Sequence, residues 1–280
     1  MQPALAVVNE PRQPAETEVL AFLLVPDFSM MSFASAVEPL RIANRLSGRN
    51  LYRWLLVSKD GGPVKGSNGV AVEVNASIEQ IQPGRAGQLP TIVLVSGLGG
   101  ERYHDKEVFA WLRRMDRHGA TVGGLCTGAH ILAKAGLITD HRCTIHWENL
   151  PGFVEAFPDI DVAADLYEID RNRFTCSGGT APLDLMLSRI AQTHGDELAT
   201  KVSEQCLLDR IRGPHDRQRM PSRIRLGVHH PKLLMAIELM EANIEDPLPQ
   251  EQLAQYVGLS RRQLERLFRR HMGRTPAQYY

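Results

Sequence analysis

A cysteine set among glycines, with a histidine twenty residues further on, offers the parts of an activated nucleophile. Thr121 to Gly128 reads TVGGLCTG, and His146 follows in the run CTIHW. Gly123 and Gly124 before Cys126, and Gly128-Ala129 after it, suit a strand that turns sharply into a helix. Small residues are needed because such a turn is cramped, the logic of a nucleophile elbow. The positive end of that helix would favour a Cys126 thiolate. Cys126 and His146, at neighbouring strand ends, could lie side by side over a pocket at the carboxyl edge of a sheet. Catalysis would also need a base and an orienting acid. Cys143, Cys176 and Cys206 sit at no helix start and read as inert buried thiols.

A second chemistry, recognition of a phosphate polymer, is offered by Gln250 to His271, QEQLAQYVGLSRRQLERLFRRH. Leu253, Ala254 and Val257 share one face of a first helix, and Leu264, Leu267 and Phe268 one face of a second. Val257-Gly258-Leu259 is the tight turn between them. Ser260 followed by Gln263 has the form of a capping box, which satisfies amide donors at the start of the second helix. The remaining face holds Arg261, Arg262, Arg266, Arg269 and Arg270. From Pro249 onward there are six arginines and two acids, on a chain whose 32 basic and 32 acidic residues otherwise balance. That local excess suits a helix-turn-helix that places its second helix in the DNA major groove. Ser260, Arg261, Arg262, Gln263 and Arg266 lie where base edges are usually met; Arg269 and Arg270 suit phosphate contact.

The elements that must position these groups alternate along the chain. Glu18 to Val25, Tyr52 to Ser58, Val70 to Val74, Thr91 to Ser96 and Ala120 to Leu125 read as strands. Met31 to Leu46, His104 to His118 and Gly128 to Ala135 read as helices. Strand and helix in alternation, with glycines after strands, predict an α/β sandwich on a parallel sheet. Asp161 to Thr175 reads as a strand pair turning at Asp170-Arg171-Asn172, and Thr180 to His194 and Glu197 to Asp209 as helices. Residues 18–209 thus form one α/β domain, in which the family resemblance given below implies a ligand sensor. Periodicity stops from Arg210 to Val228, where arginine, proline and glycine dominate, so residues 210–229 read as a linker. A helix from Pro231 to Asn243, with Leu234, Ile237, Met240 and Ile244 inward, opens the all-α region 230–280.

Composition narrows the class further. A 43% hydrophobic and 23% charged content is that of a soluble globular protein. No apolar run reaches membrane-spanning length. Residues 1–17, rich in proline and polar groups, read as a disordered leader rather than a signal peptide. Four cysteines with no C-x-x-C pairing make neither a disulfide framework nor a metal motif, so a cytoplasmic protein with no metal and no cofactor is expected.

With these residues in hand, the Gly124-Leu125-Cys126-Thr127-Gly128 elbow and His146 resemble the class I glutamine amidotransferase-like superfamily, PfpI-type branch. LSRRQLERLFRRHMGRTPAQYY is similar to the AraC-type DNA-binding domain. Joined in this order, they resemble the amidotransferase-like, GlxA-type AraC family of bacterial transcription regulators. SFASAVEPLRIAN (Ser32 to Asn44) and IDRNRFTCSGGTAPLDLML (Ile169 to Leu187) match as well, and the resemblance covers Val19 to Tyr280. Within that family the sequence is similar to regulators of glycine betaine, carnitine and arginine catabolism. The resemblance implies a flavodoxin-like sandwich, a helix-turn-helix domain and a homodimer. Two departures matter. PfpI-type hydrolases have a glutamate near the start of the first helix, where this chain has Met31 or Ser32; Glu38 lies two turns further along. The AraC-type domain has two helix-turn-helix units, and the chain stops at Tyr279-Tyr280 where their connecting helix would begin. The second reader is therefore expected to be missing from a truncated sequence, with weak DNA binding as the result.

The resulting expectation is a non-enzymatic transcription activator answering to a small amine or amino-acid-like effector, with a quaternary ammonium compound as the candidate. Its pocket would comprise Cys126, Thr127, His146 and Trp147, with Phe28, Met31 and Ser32 from the first loop. Trp147 and Phe28 would offer π faces to a cation and Glu38 a counter-charge. The alternative is a cysteine hydrolase using Cys126 and His146.

Overall fold

The apolar runs pair as strands because both faces of their sheet are covered by helices, which leaves no solvent side for polar residues. A computed structural model describes residues 17–82, 89–219, 226–244 and 246–280. The strands are β1 (Glu18–Leu24), β2 (Tyr52–Ser58), β3 (Val64–Lys65), β4 (Ala71–Val72), β5 (Ala76–Ser77), β6 (Thr91–Val95), β7 (Val122–Leu125), β8 (Cys143–Thr144), β9 (Val162–Ala163), β10 (Tyr167–Asp170) and β11 (Arg173–Cys176). The main sheet has the order β10-β11-β7-β6-β1-β2-β5, parallel except for β10 against β11. Side chains alternate across it. Leu20, Phe22, Leu24, Val93 and Val95 pack with helices α1 (Met30–Ser47), α5 (Ala181–His194) and α6 (Asp196–Gln205). Ala21, Leu23, Ile92 and Leu94 pack with α2 (Lys106–Arg117), α3 (Gly128–Lys134) and α4 (Leu150–Ala156) on the other face. Among the described residues, no helix is long and apolar enough to cross a membrane.

Three local differences from the sequence reading bear on the site. Only Cys143 and Thr144 of CTIHW are strand, and they pair with β9 rather than joining the main sheet. His146 and Trp147 therefore sit in the connection to α4, not at a main-sheet strand end. Helix α4, formed from LPGFVEA, was not legible, because its proline and glycine read as loop; the buried Phe153 holds it to the core. Residues 210–219, read as the start of the linker, are fastened to the α/β unit. The Asp184 carboxylate, 1% exposed, accepts from the Arg212 backbone N–H (2.7 Å), Nε (2.9 Å) and Nη2 (2.6 Å). The Leu166 N–H donates to the Pro214 carbonyl at 2.8 Å. The division into two compact units falls between Gln218 and Arg219. Residues 1–16 of the expected leader and 220–225 of the expected linker lie outside the described residues.

The second unit contains α7 (Pro231–Ala242), α8 (Gln250–Tyr256), α9 (Arg261–Met272) and α10 (Pro276–Tyr279). Leu233, Ala236, Ile237 and Met240 bury against Leu253, Ala254, Leu264 and Phe268. Ile237 and Met240 face inward as expected, but Leu233 takes the place expected of Leu234, which is only partly buried. Ile244 was expected inward and is 68% exposed, because α7 ends at Ala242 and the helical period no longer places it. Gly258 takes φ 64° in the turn, and the capping box of Ser260 and Gln263 is formed in both directions.

Replacing Arg212 with alanine should leave the Asp184 carboxylate buried without its cation. A loss of about 3–5 kcal/mol in urea unfolding is expected; a loss under ~1 kcal/mol would mean the pair is not buried in solution.

Candidate functional site

Cys126 occupies a left-handed backbone conformation, φ 60°, between β7 and α3. A non-glycine residue there costs about 1–3 kcal/mol and persists only where its surroundings leave no alternative. Its N–H donates to the Cys176 carbonyl at 2.8 Å. A Cβ at Gly178 would come within 2.8–3.0 Å of Cys126 Cβ, Cα and Sγ, so that neighbour must be glycine. A Cβ at Gly100 would meet Thr127 Oγ1 at 2.3 Å, and one at Gly124 would meet the Gly128 carbonyl carbon at 3.0 Å. Four loops, following β1, β6, β7 and β11, thereby converge at the carboxyl edge of the sheet, where open parallel sheets place ligands.

The surroundings of Cys126 oppose the expected thiolate. Burial pushes the Cys126 thiol up to about 11; the Thr127 N–H pulls it down by less, and the Glu148 carboxylate pushes it up further. Desolvation outweighs a helix of only seven residues. Burial likewise lowers the His146 pKa, against the opposing field of Glu148. His146 Nδ1 accepts the Glu148 N–H at 3.3 Å, so the neutral ring bears its proton on Nε2. Among the described residues, no histidine nitrogen bonds the Cys126 sulfur, which leaves the thiol without the base that nucleophilic catalysis requires.

The other expected pocket residues divide by position. His146 and Trp147 stack obliquely, with ring centroids 5.6 Å apart at 33°. Trp147 is 39% exposed, and the Glu148 carboxylate is 3.9 Å from His146 Nδ1. Thr127 is buried, its hydroxyl bonded to Ser96 Oγ (2.9 Å) and the Gly97 carbonyl (2.6 Å). Phe28 is fully buried with its ring edge-on to Phe33, so it offers no face to a ligand. Ser32 is buried too, its hydroxyl bonded to Ser29 Oγ, whereas Met31 is exposed. Glu38, expected as the counter-charge, pairs with Arg41 at 2.6 Å, and its field reaches Cys206. The carboxylate that bears on both Cys126 and His146 is Glu148. Sequence reasoning passed over it although it directly follows Trp147, because no helical or strand period marks a turn residue.

On α9, Arg262, Gln263, Arg266 and Arg269 line one exposed groove with Ser260 and Glu265. Arg270 is also exposed. Arg261 differs from them. Its Nη1 reaches Glu251 of α8 at 2.7 Å and its Nε reaches Glu265 at 3.4 Å, which braces the two helices against each other. Arg261 of the expected DNA-facing set is thus engaged with two carboxylates of its own domain.

Alkylation of Cys126 by iodoacetamide should be slow at pH 7.5 and climb with pH toward a midpoint near 11, since at pH 8 only about one thiol in a thousand is ionised. A plateau reached below pH 8 would show an activated thiolate.

Residues 20–192 match the DJ-1/PfpI family, and residues 240–279 match the bacterial regulatory helix-turn-helix proteins of the AraC family. The chain is 43% identical to the HTH-type transcriptional regulator GbdR of Pseudomonas aeruginosa over 96% of this chain and 72% of that one. It is 46% identical to the HTH-type transcriptional regulator CdhR of the same species, over 92% and 75% respectively. Among solved structures, an AraC family transcriptional regulator from Pseudomonas putida superposes with a TM-score of 0.60 at 29% identity, over 68% of this chain and 99% of that one. With an α/β sheet domain of DJ-1/PfpI type followed by a helix-turn-helix region, this chain belongs to the AraC-family transcriptional regulators with an N-terminal DJ-1/PfpI domain.

Proposed function

We propose that the first unit senses a small quaternary ammonium or amino-acid-like effector at the Cys126 turn and that the second unit answers by sequence-specific DNA binding that activates transcription. The observation that supports this most is the placement of Trp147 and Glu148 beside His146, next to a protonated Cys126, in a chain that also has a helix-turn-helix. An indole face and a carboxylate together suit a cation with no hydrogen to donate. The likeness to betaine and carnitine regulators points the same way. Cys126, His146 and Trp147 would contact the effector, and Met31 would lie on the rim. Thr127, Phe28 and Ser32 would form the floor that holds the loops. Glu148 takes the role first expected of Glu38. A homodimer on repeated half-sites fits such a reader. A cysteine hydrolase is disfavoured by a partly buried thiol whose pKa is raised and with no base on it.

Calorimetry with glycine betaine, carnitine, choline and arginine tests the effector. Glu148→Gln should weaken the binding probe by about tenfold, and Trp147→Ala by roughly 2–30-fold, while Glu38→Gln changes little. Failure of all four probes to bind would remove the effector assignment. For DNA, Arg262→Ala and Arg266→Ala in the full-length protein should relax sequence preference, whereas Arg270→Ala should mainly lower the salt slope by about one. Equal, sequence-independent losses from all three would contradict that division. Arg261→Ala should cost no more than about 1 kcal/mol of stability, as expected of an exposed ion pair.

A further inference from the structure

Gln218 is the last residue of the first unit, and its side chain reaches back to the strand and loop that lead to His146. The two N–H groups of its Nε2 serve three acceptors, the Asp165 carbonyl (2.8 Å), the Ile145 carbonyl (3.0 Å) and Thr144 Oγ1 (3.2 Å), so one N–H is shared. The Thr144 hydroxyl spends its own hydrogen on the Asp165 carbonyl at 2.7 Å, so it can only accept from Gln218. All three neighbours are acceptors, which settles the orientation of the amide. Gln218 Oε1, by contrast, is buried with no hydrogen-bond partner among the described residues. A buried unsatisfied acceptor costs roughly 1–3 kcal/mol. The amide is thus held firmly on one side and penalised on the other.

The surroundings make this amide a joint rather than a point of general cohesion. Upstream, residues 210–216 are pinned by Arg212 on Asp184, by the Pro214 carbonyl on Leu166 N–H and by His215 Nδ1 on Asp165 Oδ2 at 2.9 Å. Asp165, Glu168 and His215 present their ligand atoms within 4.8 Å of one another. The Arg142 guanidinium, 3.0 Å from Glu168 and 3.6 Å from Asp165, already supplies a positive charge to that group. Ile145 is fully buried, so its carbonyl cannot swing without moving the backbone of His146. Arg219 opens the second unit.

We propose that Gln218 is a positioning residue that couples the effector site to the DNA-binding unit, its amide holding the Ile145 carbonyl, and with it the His146–Glu148 turn, to the last residue before that unit. The proposal rests on the effector site placed at this turn. An effector that draws Trp147 and Glu148 inward displaces the Ile145 carbonyl, and the three bonds to Nε2 lose their geometry together. A released Gln218 amide regains water on Nε2 and Oε1 alike. The unsatisfied Oε1 thus offsets part of what the Nε2 bonds contribute, which reduces the differential affinity an effector needs to shift the balance.

Two measurements on Gln218→Ala, Gln218→Glu and Thr144→Val decide it, with Arg210→Ala as control for the same segment. The first needs no effector: iodoacetamide labelling at pH 9, read peptide by peptide. Labelling of Cys126 should rise by about tenfold in Gln218→Glu, whose carboxylate faces three oxygens, and less in the other two variants. Cys143 and Cys176, both buried, should stay unchanged, as should every cysteine in Arg210→Ala. An unchanged Cys126 rate in all three variants, or an equal rise at every cysteine, overturns the proposal. The second uses the full-length protein with whichever of glycine betaine, carnitine, choline or arginine the parent binds. Gln218→Ala should keep that affinity within about threefold yet lose the effector-dependent change in DNA affinity. A variant that keeps the change overturns the coupling. If the parent binds none of the four, the effector assignment falls and the labelling result alone decides whether Gln218 positions the turn.

Discussion

The left-handed turn at Cys126 is the constraint around which the α/β unit is arranged. One strained residue is kept in place because every neighbour has lost the room to let it relax. Gly178 lies against the cysteine, Gly124 and Gly128 let strand and helix meet, and the Cys176 carbonyl takes the cysteine N–H. The same crowding dictates the chemistry. A thiol wedged among backbone atoms is desolvated, and desolvation raises its pKa more than a single N–H from Thr127 can lower it. A geometry that resembles a nucleophile elbow thus yields a neutral, soft surface suited to contact rather than attack.

Charge around the turn follows from the same packing. Glu148 is the carboxylate whose field reaches the thiol and the imidazole, and it is well exposed, so it can meet a ligand without the large desolvation cost of a buried ion. Trp147 stands beside it on a turn tied to the body through Thr144, Asp165 and Gln218. The loop that would sense a cation and the segment that leaves for the second unit are therefore joined by one amide whose two N–H groups serve three acceptors. Farther along, α9 presents arginines from one face because its opposite face, Leu264 and Phe268, is committed to the small helical core. Arg261 departs from that pattern by bracing α8 to α9.

Much of this was legible in the residues. The strands at Glu18 and Thr91 announced themselves by nearly continuous apolar runs, and the capping box at Ser260 by two residue types three apart. Other features were not. Helix α4 contains both proline and glycine, which read as loop, yet the buried Phe153 holds it. Residues 210–219 show no period because they are an irregular strap, and their order comes from the Asp184 carboxylate about thirty positions away in sequence.

The sequence by itself determined which residues could take part: the glycines that permit the turn, the cysteine within it, the indole near the histidine and the arginines of the last long helix. Periodicity and small-residue spacing are local properties, and local properties can be read along a chain. Only the tertiary structure decided which groups act on one another. Glu38 and Glu148 are both acidic, and nothing nearby in sequence marks one as facing Cys126. Desolvation, partner choice and the hold of Gln218 on the Ile145 carbonyl arise between segments distant in sequence, and they exist only once the chain has folded.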